Sequence, residues 1–203
     1  MSTVAPPAAT GARRPPKRRL AHPARWISGA VLAVLVDVAI VAATRPSYQA
    51  TQAASPLDGK AAPAIRATTL DGTSVDLASY RGHFVYVNFF ASWCAPCQAE
   101  APNLVAFNFQ QSRLDGGAKL LSVVFDDADS SARAFTATYG TEWPAATDPG
   151  GSIANSYGVT SPPSTFLVDP RGVVVANLVG PVTERQLDNL LAQARAGQAS
   201  NAN

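Results

Sequence analysis

The sequence predicts an α/β domain built on a mixed sheet flanked by helices. Three observations predict it. Two near-continuous apolar runs, residues 84–90 and 120–125, are rich in β-branched and aromatic side chains, as strands buried on both faces require. Each is followed by a stretch of helical character, the arrangement of a parallel β-α-β unit. A later pair of apolar runs, residues 164–169 and 173–178, flanks Pro170-Arg171-Gly172 and reads as an antiparallel hairpin. A parallel unit followed by a hairpin gives a sheet of mixed direction.

The elements follow in order. Residues 64–70 and 73–76 are short strand-like runs separated by Asp71-Gly72, a strong hairpin signal. The strand at 84–90 leads directly into Ala91-Ser92-Trp93-Cys94-Ala95-Pro96-Cys97. A helix is expected from Gln98 to about Phe109, with Leu104, Val105, Phe107 and Phe109 as its apolar residues. After the strand at 120–125, a second helix is expected over 130–139, with Asp129 or Ser130 at its start. Residues 153–157 form a short helical turn ended by Gly158. The closing helix is expected over 183–196. Thr183 can cap it, and Leu187, Leu190, Leu191 and Ala194 form its buried stripe.

Both ends differ from this body. Residues 1–25 and 197–203 carry no apolar periodicity and read as disordered. The formal net charge of +2 hides an asymmetry. Six basic residues, Arg13, Arg14, Lys17, Arg18, Arg19 and Arg25, precede Trp26, with no acid among them. From Trp26 onward ten basic residues face 14 acidic ones, a net charge of −4. The positive charge is therefore a local arm, and nucleic acid is excluded as a partner because the domain carries no basic cluster.

Residues 26–43 are apolar except for Ser28 and Asp37, and a membrane span needs roughly 17–25 residues. The basic arm before them is expected to stay cytoplasmic, which places the rest of the chain outside. A cleaved signal peptide is the alternative, with Val41-Ala42-Ala43 as small residues for cleavage, but the stretch is longer than an h-region of about 7–15 residues. The uncleaved anchor is the preferred reading. Asp37 is costly in such a span. It reads as a protonated or snorkelling carboxyl, with a helix partner as the alternative. Residues 44–57, rich in Ala, Ser, Pro, Thr and Gln, read as a flexible tether, and the folded domain is expected over residues 58–196.

The chain has two cysteines, Cys94 and Cys97, at the junction of a strand and a helix. In a β-α-β setting that spacing is a thioredoxin-like redox motif. Orphan N–H groups and the macrodipole at a helix start favour an anion, which lowers the thiol pKa of the first cysteine and makes it the attacking thiolate. The second lies one turn on, within reach to close a disulfide and resolve a mixed disulfide. Pro96 fits near the helix start because no N–H is needed there. A structural disulfide is one alternative, but so small a loop restrains little chain entropy. A closed zinc site wants four ligands. Beyond the cysteines the chain offers only His22, in the arm, and His83. Two thiolates could still hold Cu(I).

Several motifs in register carry a resemblance. Residues 88–97, from Asn88 through Trp93-Cys94-Ala95-Pro96-Cys97, are followed by Glu100-Ala101-Pro102; residues 157–169 contain Pro162-Pro163; and Pro170-Arg171-Gly172 follows. Over residues 58–191 the chain resembles the membrane-anchored thioredoxin-like proteins of the TlpA, ResA and CcmG (DsbE) branch. The resemblance implies a thioredoxin fold with an N-terminal β-hairpin extension. It implies Cys94 as the attacking and Cys97 as the resolving cysteine. Glu100 resembles the acid that assists proton transfer near the disulfide, a solvated helix residue being the alternative. Asn88 stands where cytoplasmic thioredoxins carry a buried Asp. Trp93 is expected to pack beside the site, and Pro163 to be the cis-proline of the substrate-binding loop. Pro162 departs from the usual pattern, since it offers a substrate no backbone N–H. Pro102 is expected to kink the active-site helix.

The implied activity is thiol–disulfide exchange with protein substrates, without cofactor or metal. It is reductive in direction, as in keeping apocytochrome c thiols open for haem attachment, with electrons drawn from a membrane thiol carrier. A general extracytoplasmic oxidant, a thiol peroxidase and a Cu(I)-binding module are the rival classes. A reduction potential near DsbA's roughly −120 mV would favour the oxidant over a thioredoxin-like value near −270 mV.

Overall fold

The computed structural model describes residues 49–201 and, within the N-terminal segment, residues 31, 34–37 and 40. The latter few are helical and exposed. The basic arm and most of the expected span over 26–43 lie outside the described residues. Among the described residues no helix is long and apolar enough to cross a membrane.

The central sheet grows from β-branched, apolar runs that cannot be left in water. The strands are β1 (Thr51–Gln52), β4 (Val85–Phe90), β5 (Lys119–Val124), β6 (Ala145–Ala146), β7 (Ser164–Val168) and β8 (Val174–Val179). They lie in the order β1-β8-β7-β4-β5-β6. β4, β5 and β6 run parallel, while β7, β8 and β1 pair antiparallel. The expected mixed sheet is therefore present, with β4 at its centre and all six β4 residues buried. A separate hairpin, β2 (Arg66–Thr68) and β3 (Ser74–Asp76), turns at Asp71-Gly72 as the sequence predicts. Gly72 has φ +85°, a conformation that glycine adopts without steric cost.

Alternation along β4 sends its side chains to two cores. Val85, Val87 and Phe89 pack with Ile153, Ala154 and Tyr157 of α3 (Ser152–Tyr157) and with Val75 and Leu77 of the hairpin side. Tyr86 faces the other way, toward Leu104 and Phe107 of α1 (Ala95–Ser112) and Leu187 and Leu191 of α4 (Glu184–Asn201). Tyr86 meets Phe107 edge-on at 5.2 Å. Its hydroxyl donates to the Leu187 carbonyl at 2.6 Å, so the buried phenol is satisfied. α2 (Asp129–Tyr139) closes the same face beyond Phe90, through Ala132 and Phe135.

Four elements differ from the sequence reading, each for a local reason. α1 starts at Ala95 rather than Gln98, because the cysteine turn is itself the first helical turn. β6 was not legible, since two alanines carry no period; it forms because β5 offers an open parallel edge. β1 lies within the expected tether, where Ala50 N–H and Ala53 N–H donate to the Pro181 and Asn177 carbonyls. α4 runs on to Asn201, past the expected end at Ala196. Arg195 bonds the Gly116 carbonyl and Gln198 bonds the Asp169 carboxylate, so contacts with the body extend the helix. Its start matches expectation: the Thr183 hydroxyl accepts from Gln186 N–H while the Gln186 side chain accepts from Thr183 N–H, a capping box.

Leu187 is fully buried at the junction of α4 and β4. Leu187→Ala is expected to cost about 3 kcal/mol by urea unfolding, as a large-to-small change in a closed core does.

Candidate active site

β4 ends at Phe90, β5 ends at Val124 and β7 begins at Ser164, whose Cα pairs with that of Phe89. These three ends share one edge of the sheet, where the carboxyl ends of parallel strands usually place ligands. The cysteine turn, the loop after β5 and the Pro162-Pro163 loop therefore converge there.

Cys94 is the N-cap of α1, in extended backbone geometry at φ −83°, ψ 104°. Its Sγ accepts the Cys97 N–H at 3.1 Å, one of the orphan donors of the first turn. Pro96 occupies that turn without forfeiting a bond, as expected. Cys94 and Cys97 are joined as a disulfide with Cα atoms 5.2 Å apart. Cys94 is 4% exposed and Cys97 1%, so both are buried and the first residue is the more accessible of the two. Trp93 beside it is 57% exposed.

The turn is tied to its surroundings by three bonds. The Asp127 carboxylate accepts the Ser92 N–H at 2.6 Å. The Trp93 indole N–H donates to the Asp126 carbonyl at 3.0 Å, and the Gln98 side chain donates to the Ser92 carbonyl at 2.9 Å. The peptide bond between Pro162 and Pro163 is cis, with Pro163 buried and Pro162 half-buried. The Gly180 N–H occupies the Pro163 carbonyl at 3.0 Å.

Behind the disulfide lies Glu100, with 1% exposure. It is not a solvated helix residue. One carboxyl oxygen accepts the Val182 N–H at 3.1 Å and the other the Asn88 side-chain N–H at 3.2 Å. Asn88 also donates to the Thr165 hydroxyl at 3.0 Å. Burial pushes the Glu100 carboxyl up to about 8, against the hydrogen bonds from Val182 and Asn88. Glu100, Asn88 and Cys97 line one small cavity, closed further by Ser122 and Trp143. Strand β4 thus supplies, at Asn88, a neutral donor to a buried acid. Pro102 lies inside α1, where it has no N–H to give the Gln98 carbonyl.

The sequence reading brought Trp93, Cys94, Cys97, Glu100, Pro162 and Pro163 forward, and the fold sets them along this one edge and just behind it. It missed Asp126, Asp127, Thr165 and the Val182 N–H. The available signal for the first two was position: an acidic pair at the carboxyl end of a buried strand, beside the cysteine strand.

A model of the Redoxin family matches residues 57–192. The thiol-disulfide oxidoreductase ResA of Bacillus thuringiensis subsp. konkukian is 32% identical over 133 residues, spanning 66% of this chain and 76% of that protein. The thiol:disulfide interchange protein HelX of Rhodobacter capsulatus is 36% identical over 145 residues, 67% of this chain and 78% of the relative. The solved structure of a secreted thiol-disulfide isomerase from Corynebacterium glutamicum superposes with a TM-score of 0.58 at 26% identity, covering 68% of this chain and 93% of that one. Likeness over residues 57–192 and a disulfide set on a helix start lead to one assignment: the chain belongs to the Redoxin family and is one of its thiol–disulfide oxidoreductases.

Proposed function

We propose that this protein exchanges disulfides with protein substrates outside the cytoplasm, through Cys94 and Cys97, mainly as a reductant. The observation that carries the reading is the Cys94 sulfur itself, capping α1 with the Cys97 N–H on it and the buried Glu100 behind the pair. The secreted relative from Corynebacterium glutamicum supports the compartment. The basic arm over residues 1–25 stays cytoplasmic and residues 26–43 anchor the domain in the cell membrane. Reducing equivalents come from a membrane thiol donor, and apocytochrome c is a fitting substrate.

The chemistry follows from the site. In the reduced protein the Cys94 thiolate attacks a substrate disulfide, forming a mixed disulfide and releasing one substrate thiolate. Cys97 then gives its proton to the ionised form of Glu100, the minority state below about pH 8, and attacks Cys94 Sγ. The Cys94–Cys97 disulfide forms and the second substrate sulfur leaves. Recharging reverses the flow: a donor thiolate attacks Cys94, Cys97 leaves, and protonated Glu100 returns the proton to it. A carboxyl held near 8 suits a thiol whose ordinary value is about 8.5. Trp93 and the Pro162-Pro163 loop form the walls against which a substrate chain lies. Pro162 contributes no N–H there, so its backbone contact with substrate is confined to its carbonyl.

Trapping tests the roles. Cys97→Ala is expected to accumulate mixed disulfides through Cys94, identified by mass spectrometry from membrane extracts. Capture by Cys94→Ala through Cys97, with none by Cys97→Ala, would invert the assignment.

Glu100 gives a second test with a defined sign. The folded protein holds its proton up to about pH 8, while the unfolded chain releases it near 4.5. Stability from this group is complete below 4.5 and is lost as pH rises toward 8, with a slope of up to about 1.4 kcal/mol per pH unit. Glu100→Gln is expected to flatten that fall in melting temperature. It should also slow resolution of the mixed disulfide on the order of a hundredfold, leaving alkylation of Cys94 unchanged. A wild-type melting temperature that does not fall between pH 5 and 8 would refute the buried-acid account.

A further inference from the structure

We infer that Asp127 is a positioning residue that also weakens the thiolate of Cys94, and so biases the enzyme toward reduction. The inference rests on the reading of Cys94 as the attacking sulfur.

Two links carry it. The first is mechanical. Asp127 Oδ2 accepts the Ser92 N–H at 2.6 Å, and its Oδ1 accepts the N–H of Ala128, the N-cap of α2, at 2.9 Å. One carboxylate therefore fastens the cysteine turn to the start of the neighbouring helix. The preceding residue completes the clamp. Asp126 has φ +43°, the left-handed region that few non-glycine residues visit and that Asp tolerates better than most. That turn presents the Asp126 carbonyl to the Trp93 indole at 3.0 Å while the next carboxylate meets Ser92. Residues 92 and 93 are thus gripped by consecutive residues of one loop, immediately before the reactive sulfur.

The second link is electrostatic. The hydrogen bond puts an acid two residues from Cys94, on the rim of the turn. The start of α1 stabilises an anion at Cys94, whereas a neighbouring carboxylate opposes it. The other acids are Asp126 and Asp129 on the same loop and helix start, and Glu100 behind the pair. Of these, Asp127 alone has its carboxylate bonded to the turn. No cation among the described residues bonds the turn. A less stabilised thiolate means a less stabilised dithiol form, and hence a lower reduction potential.

The test uses the full-length chain and two readouts: the pH dependence of Cys94 alkylation and the reduction potential against glutathione. In Asp127→Asn the side-chain oxygen can keep the Ser92 bond while the charge is lost. The expected outcome is a Cys94 thiol lowered by roughly half a pKa unit. The thiol–disulfide equilibrium should shift roughly two- to threefold toward the dithiol, which is about 10–15 mV upward. Asp127→Ala should show the same shift and also slower exchange with a protein disulfide, because it loses the Ser92 bond too. Wild-type values of both readouts in Asp127→Asn would overturn the inference. So would an equal shift in Asp129→Asn, which would mark a diffuse field rather than this contact. A wild-type Cys94 that titrates as an ordinary, unreactive thiol would instead overturn the active-site reading itself.

Discussion

The first N–H groups of α1 have no carbonyl to bond, and the Cys94 sulfur takes one of them. That single capping contact fixes much of the rest. A sulfur can serve as an N-cap only if the chain enters the helix from an extended residue, which Cys94 is. The extended residue must follow a strand that is itself immobile, and β4 is buried along its whole length between β5 and β7. The sheet thus acts as a rigid mount for one atom. The helix then carries the second sulfur to within bonding distance without further demands on the sequence.

The same geometry explains why a carboxyl group can sit in the core. Glu100 lies on α1 facing β4 and pays the full desolvation cost of a buried acid, softened by two hydrogen bonds. A neutral carboxyl is the cheaper state at neutral pH, and Asn88 is compatible with either state because it only donates to it. An ionisable Asp at 88 would set two acids 3.2 Å apart, where like charges disfavour each other. One titrating acid with an amide beside it is thus an alternative to a lone Asp on the strand, with the proton store moved from β4 to α1.

Much of this was legible in the sequence for identifiable reasons. β4 and β5 could be read because continuous apolar runs are the signature of strands buried on both faces. The cysteine turn could be read because spacing and position coincide. The Thr183 cap and the Asp71-Gly72 turn rest on local chemistry that tertiary context did not override. What could not be read depends on neighbours. β1 and β6 are held by backbone pairing to edges that exist only once the sheet has formed. Burial of Glu100 could not be separated from exposure, because helical position 100 is polar among small residues and α4 is distant in sequence. Only the closure by Val182 shows that this face is covered.

The loop after β5 was invisible for a different reason. Asp126 and Asp127 look like ordinary solvated acids ahead of a helix, and each of their bonds to the cysteine turn has a backbone group at one end, which carries no residue signature. Their bonds go to Ser92 and Trp93, more than thirty positions earlier, and depend on β4 and β5 being parallel neighbours. Parallel pairing brings both strand ends to the same edge, so whatever follows β5 necessarily borders whatever follows β4. The two acids of the site then act in different media. On the proposed mechanism, Glu100, buried, governs when a proton can move, and Asp127, on the rim, bears on how willingly Cys94 becomes an anion. Separating the two tasks lets a single fold vary its driving force through a surface loop while the buried proton site stays as it is.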